Sequence, residues 1–144
     1  MRLRPFLGGL AFCVFAASSG GAGALEPHTW RERVLVVFAA RADATLAEQR
    51  KLTTAAEEAL AERDMSVVAV VGDKVEHWFG QDRGGDASDI RARFKIGPEQ
   101  AFSVLLIGKD GEVKWRTEKP SDLEEAIALV DTMPMRQREK GEGG

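Results

Sequence analysis

Cysteine is nearly absent from this sequence, which has one cysteine, Cys13, among 144 residues. One thiol cannot form an intramolecular disulfide or a dithiol redox pair. Cys13 also lies within a leader segment that we predict to be removed, so we expect the mature chain to have no thiolate nucleophile and no thiol metal ligand. Thiol–disulfide exchange and cysteine-based peroxidase chemistry are therefore excluded for that mature chain.

Histidine is also scarce, with His28 and His77 as the two examples. Zinc sites use three or four convergent ligands, and the sequence has no HxxxH or HExxH pattern. It also has no glycine-rich phosphate loop, no GxSxG elbow and no SxxK motif, which leaves nucleotide binding and serine acyl transfer without support. We therefore expect no metal ion and no cofactor, and we interpret both histidines as surface residues.

Neither sign of charge is in large excess, because 20 lysines and arginines stand against 23 aspartates and glutamates. Binding to nucleic acid or to an anionic membrane surface needs a clustered basic face, so we expect neither partner. A hydrophobic fraction of 44% and a charged fraction of 30% are typical of a folded globular protein. A length of 144 residues suits one domain.

The apolar run Phe6–Ala17 is too short to span a membrane, which takes about 20 predominantly apolar residues. It follows Arg2 and Arg4 and precedes the small residues Ala22-Gly23-Ala24, which is the pattern of a secretory signal peptide. We predict that residues 1–24 are removed, so that no stable membrane anchor remains. The expected location is the periplasm of a bacterium or the surrounding medium.

Two unbroken runs of β-branched and apolar residues, Val34–Phe38 and Val67–Val71, predict strands that are buried on both faces of a sheet. A stripe of leucines and alanines between them predicts an amphipathic helix, and Thr45 with Glu48 matches a capping box at its start. Strand, helix and strand then form a βαβ unit with a right-handed crossover.

The second half of the chain predicts a short helix, a hairpin and a final helix. Ile90 and Phe94 mark the short helix, and Arg91 is placed on a solvated face. The runs Phe102–Ile107 and Val113–Arg116 predict antiparallel strands. The residues Lys109-Asp110-Gly111 supply the turn between these two strands.

The final helix is predicted from an apolar stripe that follows Ser121 and Glu124, which match a second capping box. It is expected to end near Pro134, with Gln137–Gly144 as a solvated tail. The order β, α, β, short α, β, β, α predicts an α/β fold, the thioredoxin-like three-layer sandwich. We expect one domain over residues 25–140 and a disordered tail over residues 141–144.

The segments LLIGKDGEVKWR (Leu105–Arg116) and DTMPMRQRE (Asp131–Glu139) resemble the P-DUDES family, a domain of unknown function. The resemblance covers roughly residues 25–140. Members of that family occur as exported bacterial proteins and as modules of sushi-repeat-containing extracellular matrix proteins. The family is similar to thioredoxins and peroxiredoxins in fold, so the resemblance implies that fold and implies no particular reaction.

In thioredoxin-like enzymes the redox cysteines lie between the first strand and the next helix, where this chain has the sulfur-free loop Ala39–Thr45. Arg41 and Asp43 in this loop are candidates for binding an anion or an extended acidic partner. The alternative is a solvated loop in which Asp43 caps the helix. Gln49 is a further candidate that either hydrogen-bonds this loop or reaches solvent at the edge of the core.

The remaining candidates are Lys109, Asp110 and Arg136. Lys109 and Asp110 form either an ion-binding or acid/base pair or an ordinary hairpin turn. Arg136 follows the flexible pair Met133 and Met135, which we expect to pack the helix end onto the sheet, and is free for a carboxylate or carbonyl within the fold or on a partner.

The preferred hypothesis is an exported, cysteine-free thioredoxin-like module that binds an envelope protein, a peptide or a small ligand at the rim near Arg41 and Asp43. The alternative is a non-thiol enzyme in which Lys109, Asp110, Arg136 and His77 converge in a cleft. A third hypothesis is a stabilising or assembly role, which would require an exposed apolar patch.

Overall fold

A computed structural model of the chain describes Leu25 and residues 31–142. The predicted signal peptide, Cys13, the cleavage site after Ala24 and His28 lie outside the described residues, as does the end of the predicted tail.

Five strands in the described part of the chain form one mixed sheet. They are β1 (Arg33–Ala39), β2 (Met65–Val71), β3 (Lys74–Phe79), β4 (Ser103–Ile107) and β5 (Val113–Thr117). Their order across the sheet is β3-β2-β1-β4-β5, with β1 and β2 parallel and every other pair antiparallel. The predicted βαβ unit and the predicted hairpin of β4 and β5 are therefore confirmed.

Within residues 31–142, five helices accompany the sheet. They are α1 (Ala44–Ala55), α2 (Glu57–Ala61), α3 (Ala87–Phe94), α4 (Glu124–Thr132) and α5 (Pro134–Glu142). The seven predicted elements are all present in the predicted order, and the α/β class is confirmed. None of the helices in the described part of the chain is both long enough and apolar enough to cross a membrane.

The core has two halves, one on each face of the sheet, because side chains of β1 alternate between the faces. Leu35 and Val37 pack with residues of α1, α2 and α4. Val34 and Val36 pack with α3 and with Leu25. The sheet therefore lies between two helical layers, which confirms the predicted three-layer arrangement.

Strand β3, which contains His77, is absent from the elements predicted from the sequence. The strand follows β2 through a tight turn in which Gly72 has φ 58°. It is an edge strand with exposed charged residues between half-buried ones, so it has no continuous apolar run. His77 is consequently half-buried on a strand, and the expectation of a surface histidine is wrong.

Helix α1 begins two residues earlier than its predicted capping box implies. Its N-cap is Asp43, whose side-chain oxygen accepts the N–H of Leu46 at 3.0 Å. The capping box of Thr45 with Glu48 is therefore wrong, and the alternative role of Asp43 as a helix cap is confirmed.

The C-terminal part of the chain also departs from expectation. Ser121 Oγ accepts the N–H of Leu123, so the capping box of Ser121 with Glu124 is wrong. Helix α4 ends at Thr132, near Pro134 as predicted, but Pro134 begins a further helix, α5, because proline is well suited to a first helical position. The tail predicted from Gln137 is helical as far as the end of α5.

Candidate functional site

Five of the six candidate residues lie in two regions at opposite ends of β1. Ala39 ends β1 next to the loop that holds Arg41 and Asp43, whereas Arg33 begins β1 near the β4–β5 turn that holds Lys109 and Asp110. We call the first region the rim and the second the charged end. The structure therefore separates Arg41 and Asp43 from Lys109, Asp110 and Arg136.

The rim is an open depression of about 600 Å³ where the end of β1, the start of β4 and the end of β5 meet. Its lining includes Arg41 and Asp43 on one side and Glu99 and Glu118 on the other. Arg41 is exposed and makes no hydrogen bond or ion pair with any described residue. Together with Arg116, whose Nη2 lies 3.8 Å from Glu118, three exposed carboxylates stand beside two exposed guanidiniums at the rim. This small excess of negative charge favours a positively charged ligand over the acidic partner expected from sequence.

Arg91 holds two sides of the rim together and was missed by sequence reasoning. Its Nη2 donates to Ala39 O and its Nη1 to Gly97 O, each at 3.0 Å, and its Nε donates to Gly72 O at 3.1 Å. The side chain is buried, and desolvation lowers the pKa of Arg91. The one sequence feature that could have indicated burial of Arg91 is its place on a helix directly after the apolar Ile90.

Gln49 is fully buried and joins α1 to the segment before α4. Its Nε2 donates to Ser121 O at 3.0 Å and to Thr53 Oγ1 at 3.2 Å, and its Oε1 accepts the N–H of Ser121 at 2.8 Å. Both ends of the amide are thus satisfied inside the protein. The expectation that Gln49 reaches solvent is wrong, and it does not bond the loop of Arg41.

At the charged end, Lys109 and Arg136 converge on one carboxylate, Glu139. Lys109 Nζ lies 2.6 Å from Glu139 Oε1, and Arg136 Nη1 lies 3.6 Å from Glu139 Oε2. Arg33 Nη2 contacts the same Oε1 at 3.3 Å. Burial acts to raise the pKa of Glu139, but hydrogen bonds from Lys109 and Arg33 hold that pKa below its usual value.

A second carboxylate, Asp131, anchors the neighbouring cations. Arg63 donates to its two oxygens at 2.9 and 3.0 Å, a bidentate arrangement that lowers the pKa of Asp131 and raises the pKa of Arg63. Arg136 and Lys140 lie 3.7 and 3.9 Å from Asp131 Oδ1. These ion pairs connect α5 to β1, α4 and the segment before β2.

Asp110 belongs to the turn and does not pair with Lys109. It accepts the N–H of Glu112 at 3.0 Å and lies 2.7 Å from Lys114 Nζ, which together lower the pKa of Asp110 against an opposing effect of burial. Gly111 has φ 84°, as a hairpin turn requires. The turn interpretation of Asp110 and Gly111 is therefore confirmed.

The residues proposed for a non-thiol enzyme do not all converge. His77 lies on β3, at the opposite edge of the sheet from the β4–β5 hairpin, where its Nε2 is 3.2 Å from Asp82 Oδ1. Lys109 and Arg136 are both ion-paired with Glu139. In the part of the chain that the structure covers, no group of three or more histidine, cysteine, aspartate or glutamate residues is placed to hold a metal ion.

The two sequence segments that carry the family resemblance meet at the charged end. Lys109 belongs to one segment and Glu139 to the other, and their side chains are in contact. The resemblance therefore rests on residues that lie together in three dimensions.

Comparison with known proteins agrees with this fold. Residues 24–139 match the family described as "Domain of unknown function (DUF4174)". The chain is 33% identical over 134 residues to Coiled-coil domain-containing protein 80 of Danio rerio, a match that covers 80% of this chain and 15% of that protein. The chain thus spans less than a fifth of the length of that relative.

A solved structure of thioredoxin peroxidase I from Plasmodium yoelii superposes with a TM-score of 0.56 and 16% identity, over 81% of this chain and 79% of that one. This likeness confirms the predicted thioredoxin-like fold and concerns the fold alone. The chain has that fold in a single domain and, by the match over residues 24–139, belongs to the DUF4174 family of domains of unknown function.

Proposed function

We propose that this protein is an exported, P-DUDES-type binding module that takes up a positively charged peptide segment at the rim and performs no thiol exchange. The observation that carries the proposal is the charge of the rim. Three carboxylates, those of Asp43, Glu99 and Glu118, line a depression of about 600 Å³, a size typical of ligand sites.

The rim is also held in shape before any ligand arrives. Arg91 fixes the carbonyl of Ala39, which lines the depression, and the carbonyl of Gly97, which precedes the lining residue Pro98. A site whose backbone is already ordered loses less conformational entropy on binding. Arg41 is free to contact a carboxylate or carbonyl of the same ligand, which would orient the ligand in the rim.

The absence of sulfur at this position supports binding without redox chemistry. Residues 40–43, which connect β1 to α1, contain no cysteine, and the one cysteine of the chain is at position 13. A fold can be retained when the chemistry associated with it is not.

The binding proposal is tested by titrating the purified protein with short lysine-rich and glutamate-rich peptides of equal length while following backbone amide shifts. We expect the lysine-rich peptide to shift amides around the rim. Glu99→Gln and Glu118→Gln are each expected to weaken that binding about two- to fivefold, as for partly exposed ion pairs. Glu58→Gln on α2 is the control, because Glu58 is exposed away from the rim.

Stronger binding of the glutamate-rich peptide, or equal weakening by Glu58→Gln, would overturn the proposed charge selectivity. Export is tested separately by expressing the whole chain in a bacterium and measuring the mass of the protein outside the cytoplasm. A mass that corresponds to a chain starting at Leu25 supports export with cleavage after Ala24, and a protein that stays in the cytoplasm with residues 1–24 attached contradicts it.

A further inference from the structure

Strand β3 forms one edge of the sheet, and its outer side is open. Within residues 31–142, the backbone of Lys74–Phe79 forms hydrogen bonds with β2 and with no other segment. The outward-pointing N–H and C=O groups of β3 therefore have no partner in the described chain. A row of unpaired backbone groups of this kind can pair with a further strand.

The other edge strand, β5, is protected by its charges against pairing with a second copy of itself. With Trp115 opposite Trp115 in an antiparallel pair, Lys114 faces Arg116 of the second copy. A shift in either direction places Lys114 opposite Lys114 or Arg116 opposite Arg116, and like charges directly opposite each other are destabilising. Lys114 is also an extra, bulged residue between the pairs that β5 makes with Leu106 and Ile107.

Strand β3 has a different charge pattern, because a lysine and a glutamate lie two positions apart on it. Lys74 and Glu76 are both exposed and lie on the same face of the strand. When two copies pair antiparallel with Val75 opposite Val75, each Lys74 faces Glu76 of the second copy. The same register places the exposed Asp73 opposite His77 of the second copy. Lysine and glutamate therefore meet on both sides of the twofold axis.

Both charged groups are available for such a contact. Lys74 makes no hydrogen bond or ion pair with any described residue. Glu76 is 47% exposed, and its contacts with Trp78 Nε1 at 2.9 Å and with Arg50 Nη1 at 3.8 Å both use Oε2. Oε1 of Glu76 has no partner in the described chain and can accept a hydrogen bond from Lys74 Nζ of a second copy.

Charge and the shape of the strand also disfavour the neighbouring registers. Lys74 opposite Lys74, or Glu76 opposite Glu76, brings like charges together. His77 opposite His77 draws Trp78 into the pairing, and Trp78 is a bulged residue in the pairing of β3 with β2. The register about Val75 uses residues 73–77, which end before that bulge.

We propose that two copies of this chain associate through β3, antiparallel and with Val75 on the twofold axis, so that their two sheets form one continuous sheet. Backbone hydrogen bonds between the two β3 strands and two Lys74–Glu76 ion pairs hold the dimer together. None of the residues that line the rim lies within residues 73–77, so the association is independent of the peptide-binding proposal. The interface is small, and we expect a dissociation constant on the order of 0.1 mM.

Sedimentation velocity of the purified protein from about 5 to about 500 µM tests this association with two charge-reversal variants. Lys74→Glu leaves two acidic residues on the edge and Glu76→Lys leaves two basic ones, so each variant alone is expected to dimerise at least about tenfold more weakly than the wild type. An equimolar mixture of the two variants places every acidic residue opposite a basic one. We expect this mixture to regain the association of the wild type.

Arg116→Gln is the matched control, because it removes an exposed charge from the other edge strand, and it is expected to leave dimerisation unchanged. Circular dichroism identifies the variants that keep the wild-type fold, and only these are compared. A mixture that associates no better than its single variants, or equal weakening by Arg116→Gln, would overturn the proposal. A wild-type protein that stays monomeric over the whole concentration range would also overturn it, whether or not an added peptide then binds along β3.

Discussion

Arg91 shows at the scale of one residue how a buried charge can organise a surface. Its acceptors are backbone carbonyls of three separate segments, those of Ala39, Gly72 and Gly97. We expect Arg91→Met to fill most of the same space, to leave these carbonyls without their donor and to lower the free energy of unfolding by about 2–4 kcal/mol. Urea unfolding followed by circular dichroism measures the change.

Arg41→Met is the matched control, because it removes the same chemical group from an exposed position without hydrogen bonds. We expect it to change the free energy of unfolding by less than about 0.5 kcal/mol. An Arg91→Met protein as stable as the wild type would mean that these hydrogen bonds contribute nothing net to stability.

Gly80 gives a second prediction at this scale. It has φ +85°, and a Cβ at this position would overlap the side chain of Ser66, a buried residue that also donates a hydrogen bond to Glu32. We expect Gly80→Ala to lower the free energy of unfolding by more than about 2 kcal/mol, from backbone strain and overlap together. Gly84→Ala has a similar φ of +73° and open space around its Cβ. We expect Gly84→Ala to lower the free energy of unfolding by about 1 kcal/mol, from backbone strain alone. Equal losses for the two variants in denaturant titrations would contradict an overlap with Ser66.

Helix α5 illustrates, at the scale of an element, how ion pairs can hold a helix with few apolar residues against the rest of the protein. Glu139 connects it to Arg33 and Lys109. We expect Glu139→Gln to leave the buried Arg33 without its counter-ion and to release α5, with a loss of about 2–4 kcal/mol. Hydrogen exchange of α5 amides and the rate of tryptic cleavage after Arg138 both measure this release.

Arg138→Gln is a control on the same helix, because Arg138 is exposed and bonds the carbonyl of Pro134 within that helix. It should leave hydrogen exchange of α5 close to that of the wild type. Protection of α5 that survives Glu139→Gln would show that apolar contacts alone hold the helix.

An element could be predicted from the sequence where a short continuous segment carries its pattern of apolar residues. Strands β1 and β2 are buried on both faces, so their apolar runs were clear from sequence. Strand β3 alternates charged and apolar residues at a sheet edge and has no apolar run. Helix α5 begins with Pro134 directly after the end of α4, and proline there indicates the end of one helix without showing that another follows. The contacts of Glu139 with Arg33 join residues 106 positions apart, and no local pattern encodes them.

At the scale of the whole molecule, the charged end makes stability depend on acid pH. The folded-state pKa values of Asp131 and Glu139 are lowered by their arginine and lysine partners. A carboxylate with a lowered folded-state pKa contributes stability at pH values above its unfolded pKa of about 4, and this contribution is lost as the pH falls through the folded-state pKa. We therefore expect the free energy of unfolding to be nearly constant from pH 7 to 5 and to fall steadily below about pH 4.5.

Chemical denaturation in matched buffers from pH 3 to pH 7 measures this dependence, and the double variant Asp131→Asn with Glu139→Gln identifies its source. The variant should be less stable at pH 7 and should lose less stability on acidification, because its two amides do not titrate. Since both ion pairs are partly buried, 0.5 M salt should reduce the effect only in part. A variant that loses as much stability as the wild type between pH 5 and 3 would place the acid sensitivity outside the charged end.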